Sequence, residues 1–480
     1  MVKSLKQQTI LFAVAKYATV FVGIIVSAIL SRLLTPADYG VVAVITVFTT
    51  LFTTLCNIGL GTAVIQRRDL THSQVNDIFS FSVYLSIALM LIFMECSRPI
   101  SHFYENEVYI PICMLLSLSI LFNSLNMVPN ACLMREHRFD LVSFRMIICA
   151  LFSGLVAIVM ALCGFKYYSL VAQSIISAFA QFIWNLKGSK LRMKFRFDFQ
   201  PLKSVWSYSW NQYMYNMCNY FAQNLDNLLT GKLIGSDALA YYNKSYTLMR
   251  YPVNNIPHVL TPILHPVLSE HKDDKKYIYD RYMTIVKLFS LIGIFVSLVC
   301  YFAGKELILI FFGNQWGESI LPFKMLSLCL WAQMVNALSG SIYQSLGKTK
   351  EMFHSGVIHI GITILAIICG TIPQNLVILS ICISISLNIK FFVESIYLIK
   401  FSFGYRLFPY FSGFLPDICI CIITALGAMF VYSFYIPSNI MLSFVYKSGI
   451  LVAFFIIALF ITRQNVYIMK FIKKEHSVQK

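Results

Sequence analysis

The chain has 480 residues, of which 58% are hydrophobic and 12% are charged. Soluble domains carry about 25% charged residues, so this composition disfavours a cytosolic enzyme or a secreted disulfide protein and predicts an integral membrane protein. A helix that crosses the hydrocarbon core needs about 20 apolar residues, and the chain is long enough for about fourteen such spans. The net charge of +17 therefore needs an explanation.

The hydrophobic runs place the predicted spans in chain order. The first six lie near Thr9–Leu30, Gly40–Leu60, Ile78–Met94, Tyr109–Val128, Leu141–Leu162 and Ser169–Leu186. After a basic linker, eight more lie near Trp206–Leu229, Leu239–Leu260, Tyr282–Phe302, Leu321–Tyr343, Met352–Gly370, Leu376–Ile399, Phe411–Tyr432 and Met441–Ile461.

The basic residues test this arrangement, because Lys and Arg are retained on the cytoplasmic side of a membrane. With both termini inside, most Lys and Arg outside the spans fall in inner segments. The predicted outer loops hold only Arg32, Arg98, Lys166, Lys232 and Lys305. An error of one span would disrupt this alternation. The excess positive charge is therefore explained by topology, and no nucleic-acid partner is predicted.

Signatures of metal sites and enzymes are missing from the sequence. The 13 cysteines lie mostly inside predicted spans, where they suit small apolar packing positions. There is no HExxH motif and no CxxC pair, and the longest predicted outer loop is too short for a catalytic domain. We therefore predict no enzyme activity, no metal site and no cofactor.

The two halves of the chain contain a weak internal sequence repeat. The segment Arg32–Pro36 follows the first span, and a similar segment, Lys232–Ser236, follows the seventh. A repeat of an even number of spans keeps its orientation in the membrane. We therefore predict two pseudo-symmetric six-helix lobes around a central cavity. Residues 1–187 form the N-terminal lobe, 188–205 a basic cytoplasmic linker, 206–400 the C-terminal lobe, and 401–480 two further helices and a basic tail.

The seventh predicted span is unusually polar for a helix in lipid. Six polar residues recur at spacings of three and four, which places them on one helical face: Gln212, Asn216, Asn219, Gln223, Asp226 and Thr230. Polar groups inside a membrane face a bundle interior or a water-filled cavity. Interhelical hydrogen bonding alone is one explanation, and the length of the stripe favours a hydrated cavity wall.

The eighth predicted span has a cationic face that contains Lys244, Thr247, Arg250, Asn254 and His258. Prolines at 252, 257, 262 and 266 predict a kinked or broken helix. Lys244 either faces the cavity or extends to the outer interface, and Arg250 lies deeper. In the first span, Lys16 lies about two turns inside, where it faces the cavity or the headgroups.

Other charged residues in the spans form few readable patterns. Lys390 and Glu394 are four residues apart and are predicted to pair on one helix. Arg145, Lys287, Lys324, Asp417 and Lys447 lie in or near spans without a pattern that assigns them a role.

Three stretches of the sequence resemble those of a known family. Ser31–Gly40, which reads SRLLTPADYG, resembles the first signature of Wzx-like polysaccharide and O-antigen flippases in the MOP (MATE-like) exporter superfamily. Asn224–Gly235 and Ala238–Lys244 resemble the second signature, in which glycine often stands at the position of Ala240.

The resemblance implies a transporter with two six-helix lobes, plus two C-terminal helices, that opens alternately to each side. It implies that a polyprenyl-diphosphate-linked oligosaccharide moves from the cytoplasmic to the outer leaflet of a bacterial inner membrane. This step serves the biosynthesis of O-antigen, capsule or exopolysaccharide. The first, second, seventh and eighth helices would line the cavity, and a polysaccharide polymerase and glycosyltransferases are possible partners.

A mechanistic hypothesis follows for the candidate residues. Arg250, Lys16 and Lys244 would neutralise the diphosphate, while Asn216, Asn219 and Gln223 contact the sugar. Asp226 would pair with a cation or titrate for coupling to Na⁺ or H⁺. Two other functions remain open: a MATE-type drug or cation antiporter, and a non-transporting scaffold of a glycan assembly complex.

Overall fold

The fold is described from a computed structural model. It describes residues 5–56, 60–66, 70–194, 198, 217, 220–221, 223–257 and 274–465. Every regular element in these residues is helical, which confirms the predicted all-α class. The chain forms two compact units, Met1–Ala240 (unit 1) and Tyr241–Lys480 (unit 2). The predicted boundaries of the lobes and linker stay a prediction.

The helices of unit 1 are α1 (Leu5–Leu33), α2 (Pro36–Cys56), α3 (Leu60–Gln66), α4 (His72–Glu95), α5 (Ser97–Tyr104), α6 (Tyr109–Leu125), α7 (Met127–Arg135), α8 (Phe139–Leu162) and α9 (Tyr168–Ser189). Residues 223–233 form a further helix, α10. Helix α11 (Ser236–Asn255) begins at the end of unit 1.

Short polar signals fix where these apolar helices begin. Thr71 and Gln74 form a capping box at the start of α4, since each side chain accepts a hydrogen bond from the backbone N–H of the other. This reciprocal pairing satisfies two amides that have no partner inside the helix. The capping box therefore defines the start of α4.

The core of unit 1 consists of layers of packed helices. Helix α1 packs against α8, where Val26 and Leu30 contact the region of Ala157. A Cβ atom at Gly154 would lie 2.5 Å from Cγ2 of Val26, so the glycine permits this close packing. A second cluster joins α3, α4, α7 and α9 around Ile78, Val128 and Phe182.

The helices of unit 2 after α11 are α12 (Lys275–Phe302), α13 (Gly304–Phe312), a 3₁₀ helix (Asn314–Ser319), α14 (Ile320–Ser327), α15 (Leu330–Asn336), α16 (Ser339–Ser345), α17 (Thr349–Thr371), α18 (Leu376–Ser395), a π-helical segment (Ile396–Phe403), α19 (Leu407–Ser412), α20 (Leu415–Tyr432) and α21 (Ile440–Ile461).

Asparagine caps mark the starts of two long helices in unit 2. The side-chain oxygen of Asn375 accepts the first free N–H groups of α18, and Asn439 does the same for α21. Such caps contribute about 1 kcal/mol each. The core of the unit holds buried aromatic side chains from α12, α16, α18 and α19, including Tyr282, Tyr343 and Phe391.

Among the described residues, eleven helical segments are long and apolar enough to cross a membrane. A bent pair, Asn314–Ser327 with Leu330–Tyr343, would raise the number to twelve. The seventh predicted span lies largely outside the described residues. The eighth corresponds to α11, which is helical but too polar to be counted. The multi-pass architecture is therefore confirmed, while the count of about fourteen stays a prediction.

Candidate functional site

The first signature stretch forms the start of α2. Thr35 donates its backbone N–H and its hydroxyl to one carboxylate oxygen of Asp38, at 3.0 and 2.7 Å. The N–H of Asp38 returns a 3.2 Å bond to the Thr35 hydroxyl. Pro36 occupies the first helical position, where its missing N–H costs nothing. The Thr-Pro-Ala-Asp sequence therefore caps the N-terminus of α2.

Gly40 brings the first signature stretch, within unit 1, into contact with Ser236, which lies between the two stretches of the second signature. A Cβ atom at Gly40 would overlap the carbonyl oxygen of Ser236, so no side chain is tolerated there. Ser236 follows Gly235, whose φ of +122° favours glycine. The backbones of α2 and of the turn before α11 therefore touch directly.

Helix α10 and Tyr220, three residues before it, form polar contacts with other helices of unit 1. The Tyr220 hydroxyl donates to the carbonyl of Val47, and the Tyr104 hydroxyl donates to the carbonyl of Leu228 at 3.2 Å. At its far end, Lys232 forms a 2.9 Å ion pair with Glu105. The hydrogen bond from Lys232 and its positive charge lower the pKa of Glu105.

The polar face predicted for the seventh span is only partly described. Asn216 and Asn219 lie outside the described residues. Gln223 is exposed, whereas Asp226 and Thr230 are buried in unit 1. Asp226 accepts the N–H of Asn227 at 2.8 Å. The described part of the stripe thus changes from an exposed amide to buried groups toward the end of α10.

Lys16 is exposed on α1, and whether it faces the cavity or the headgroups stays a prediction. Thr46 and Thr50 of α2 are exposed as well, but their hydroxyls donate to the carbonyls of Val42 and Thr46, one turn earlier. Each of these two threonine hydroxyls therefore already has a backbone acceptor within its own helix.

Lys244 lies in an aromatic environment in unit 2. Its side chain is buried, and its Nζ lies 4.8 Å from the ring centre of Phe312 and 5.2 Å from that of Trp316. Two hydrogen bonds of 2.9 Å join the same segments. The Ser245 hydroxyl donates to the carbonyl of Ser319, and the Ser319 hydroxyl donates to the carbonyl of Tyr241. Lys244 therefore contacts the segment after α13, a contact that the sequence did not predict.

Arg250 is placed differently from Lys244, although both lie on α11. Its guanidinium is half-buried and stacks 5.6 Å from the ring centre of Tyr246. Among the described residues it forms no ion pair with a carboxylate. The neighbouring Thr247 and Asn254 are exposed. The helix continues through Pro252 and ends at Asn255. Pro262 and Pro266 lie outside the described residues, so the kinked or broken helix stays a prediction.

Two buried ion pairs of unit 2 escaped the sequence analysis. Lys287 of α12 binds Asp417 of α20 at 3.0 Å, and Asp417 also accepts the hydroxyl of Ser290. Lys447 of α21 binds Glu306 at 2.7 Å. The partners lie more than 100 positions apart in sequence, so no local spacing could have paired them. The predicted Lys390–Glu394 pair is confirmed at 3.7 Å.

A search of solved structures finds the same fold in a lipid II flippase, MurJ, in an inward closed conformation. The TM-score is 0.76 at 13% identity, and the match covers 95% of this chain and 99% of that one. At this identity the likeness establishes the fold alone.

Two curated relatives are named for the biosynthesis of teichuronic acid and of lipopolysaccharide. The teichuronic acid biosynthesis protein TuaB of Bacillus subtilis is 22% identical over 306 residues, and the match covers 63% of each chain. The lipopolysaccharide biosynthesis protein WzxC of Escherichia coli is 19% identical over 371 residues, which are 75% of this chain and 73% of that one. The chain thus spans less than two thirds of TuaB.

The family model described as polysaccharide biosynthesis protein matches residues 29–321, more than half of the chain and both signature stretches. The chain therefore belongs to this family of polysaccharide biosynthesis proteins.

Proposed function

We propose that the chain is a flippase that moves a polyprenyl-diphosphate-linked oligosaccharide from the cytoplasmic to the outer leaflet for surface polysaccharide biosynthesis. Three findings support the proposal: the family, the fold shared with a lipid II flippase and the many apolar helices. A diphosphate-linked sugar cannot cross hydrocarbon unaided, because burying unpaired charge and hydroxyl groups is costly.

The observation that carries the chemistry is Arg250. A half-buried guanidinium on a polar helix, bound to an aromatic ring and to no described carboxylate, keeps its donors for an anion. Guanidinium groups bind phosphate through two parallel hydrogen bonds. We propose that Arg250 binds the diphosphate, with exposed Thr247 and Asn254 beside it as contacts for hydroxyl groups. The predicted roles of Lys16, Asn216, Asn219, Gln223 and Asp226 stay predictions.

Lys244 has a different proposed role from the one its sequence position predicted. Two aromatic rings surround its ammonium group, and such contacts contribute about 0.5–2 kcal/mol. We propose that Lys244 holds the segment 304–319 against α11 and thereby positions the helix that carries Arg250.

We further propose a location in the cytoplasmic membrane of a bacterium, with both termini in the cytoplasm. The distribution of Lys and Arg between predicted inner and outer loops supports this orientation. A polysaccharide polymerase and glycosyltransferases are proposed partners, and coupling to Na⁺ or H⁺ is a proposal without an assigned site.

The deciding experiment measures where lipid-linked oligosaccharide accumulates in cells that lack the protein. A membrane-impermeant sugar-modifying reagent distinguishes the leaflets. We expect accumulation in the inner leaflet and its reversal by the restored gene. Normal outer-leaflet labelling, in a strain without a redundant exporter, would contradict the proposal and favour a drug antiporter or a scaffold.

A further inference from the structure

The bent pair of helices in unit 2, Asn314–Ser327 with Leu330–Tyr343, is interrupted by a hydroxyl group from another helix. In a continuous helix the N–H of Trp331 would donate to the carbonyl of Ser327, four residues earlier. It donates instead to the Ser297 hydroxyl of α12 at 3.1 Å, and this hydroxyl donates to the carbonyl of Ser327, also at 3.1 Å. A side chain that inserts into the helical hydrogen bonds causes a kink. Ser297 therefore accounts for the bend of 51° between the two arms of the pair.

A glycine one turn earlier in α12 lets this hydroxyl reach the bent pair. A Cβ atom at Gly293 would lie 3.1 Å from Cα of Trp331 and 3.1 Å from Cβ of Met334, closer than side chains usually pack. Gly293 and Ser297 are four residues apart, so they lie on one face of α12. Small residues on such a face allow two helix backbones to approach closely. The short side chain of Ser297 can therefore contact the backbone of the neighbouring helix.

The two arms of the bent pair contact α11 at different points. The first arm contacts its beginning, where the Ser245 hydroxyl donates to the carbonyl of Ser319 at 2.9 Å. The second arm contacts α11 further along, where Nε2 of Gln333 lies 3.8 Å from Sδ of Met249. Arg250 is the next residue of α11. The angle between the arms therefore sets the positions of two points on the helix that carries Arg250.

We propose that Ser297 is a positioning residue for Arg250. Its hydroxyl holds the bend, and the bend holds α11 in the position from which Arg250 binds the diphosphate. Without the hydroxyl, the N–H of Trp331 donates directly to Ser327, the bent pair straightens, and its first arm moves the beginning of α11. This assignment rests on the proposed function, because it concerns the residue that would bind the substrate.

The distance between the two arms tests the bend. Unnatural amino acids that carry nitroxide labels replace Glu318 on the first arm and Ala337 on the second, both of which are exposed. Pulsed electron paramagnetic resonance then measures the label distance in the purified full-length protein. At about 1.5 Å per residue, straightening the bend of 51° should lengthen this distance by about 3 Å.

We expect this longer distance in Ser297→Ala, which removes the inserted hydroxyl. Ser297→Thr keeps a hydroxyl and should keep the distance of the parent chain. An unchanged distance in Ser297→Ala would show that water or other contacts hold the bend, and would overturn the proposal.

Delivery of lipid-linked oligosaccharide to the outer leaflet, at matched amounts of folded protein, tests the positioning role. We expect Ser297→Ala to reduce delivery about threefold or more, because two hydrogen bonds are lost. Ser297→Thr should deliver as the parent chain does. Unchanged delivery in Ser297→Ala would overturn the positioning role.

The matched control for delivery is Ser345→Ala. Ser345 is buried in α16, and its hydroxyl donates at 2.9 Å to the carbonyl of Ser341 in the same helix. The control therefore removes a buried serine hydroxyl without releasing a bend, and it should leave delivery unchanged. Equal losses in the two alanine variants would contradict the proposal.

A second variant tests the same contact if Ser297→Ala does not fold. In Gly293→Ala the added Cβ atom pushes the backbone at Trp331 away from α12 and from the Ser297 hydroxyl. It should lengthen the label distance in the same direction, and an unchanged distance would again overturn the proposal.

Failure of this proposal can be distinguished from failure of the proposed function. An unchanged label distance contradicts the role of Ser297 and leaves the flippase proposal intact. Normal outer-leaflet labelling in cells that lack the protein contradicts the flippase proposal, and the positioning role with it, even where the label distance shifts.

Discussion

Arg250 and Lys244 lie on the same helix, yet their cations have different neighbours. The rings of Phe312 and Trp316 lie against Lys244, whereas Arg250 lies over the ring of one tyrosine, Tyr246, and is half-buried. A cation that is already desolvated by aromatic rings stabilises the fold. A cation with free donors is available to a ligand. The two residues should therefore respond differently to substitution.

Replacing Arg250 with alanine should reduce delivery of lipid-linked oligosaccharide to the outer leaflet about tenfold or more, because a hydrogen bond to a charged group contributes about 1.5–3 kcal/mol. Arg250→Lys should be milder, since it keeps the charge but loses the two-pronged geometry. Leaflet-resolved labelling at matched expression measures both variants.

The matched control is Arg281→Ala. Arg281 stacks on Tyr277, four residues earlier in α12, at 5.3 Å, much as Arg250 stacks on Tyr246. The control should leave delivery unchanged. Equal losses in the two alanine variants would show that removal of a stacked arginine, and not phosphate binding, explains the effect.

At the scale of elements, the contact between α2 and the turn before α11 depends on a missing side chain. The carbonyl oxygen of Ser236 occupies the space that a Cβ atom at Gly40 would need. The obstacle is backbone, which cannot rotate aside as a long side chain does. Gly23 of α1 provides the opposite case, because nothing lies within 4 Å of its Cβ position.

We therefore expect Gly40→Ala to lower the stability of the protein by about 1–3 kcal/mol, the usual cost of overpacking. Gly23→Ala should be neutral or stabilising by up to about 1 kcal/mol, since alanine is the better helix former. Thermal unfolding of both variants in the same detergent measures the contrast. A neutral Gly40→Ala variant would show that the two backbones do not touch.

The C-terminal helices are joined to the rest of unit 2 by buried charges. Asp417 of α20 is fully buried, and Lys287 of α12 is its cationic partner. The indole N–H of Trp331 extends this network by donating to Ser290 at 2.8 Å. Removing one member leaves the other charge buried without compensation.

Asp417→Asn should accordingly destabilise the protein by about 3–5 kcal/mol. The double variant Asp417→Leu with Lys287→Met removes both charges and should regain most of that loss. The comparison needs unfolding measured for the single variants, the double variant and the parent chain. Additive losses in the double variant would argue against a coupled pair.

At the scale of the whole molecule, composition and hydropathy predicted the all-α membrane fold, and three short stretches pointed to the family that the family model confirms. The periodicity of polar residues could place Gln223 and Asp226 on one helical face, but it could not show that Gln223 is exposed and Asp226 is buried. It also could not find contacts between distant segments, such as Lys287 with Asp417, 130 positions apart. The spacing of polar residues along the sequence reports on a single helix. The burial of each residue depends on the other helices that pack against that helix.

The orientation of the chain in the membrane is also a prediction about the whole molecule. Reporter fusions that are active only outside the cytoplasm should be active after Asn106 and Lys166, and inactive after His137 and Lys190. The reason is that basic residues concentrate in the segments predicted to stay inside. The opposite pattern would reverse the proposed direction of transport, and an irregular pattern would contradict the span count.

The capped turn at Thr35–Asp38 and the bare backbone at Gly40 have a consequence for comparing exporters. Both features serve the geometry of a helix start and a helix crossing. Searches that rely on this stretch will therefore retrieve chains with the same architecture whatever cargo they carry. Differences in cargo should be sought around Arg250 instead, by exchanging the inner half of α11 between exporters and recording which polymer reaches the cell surface.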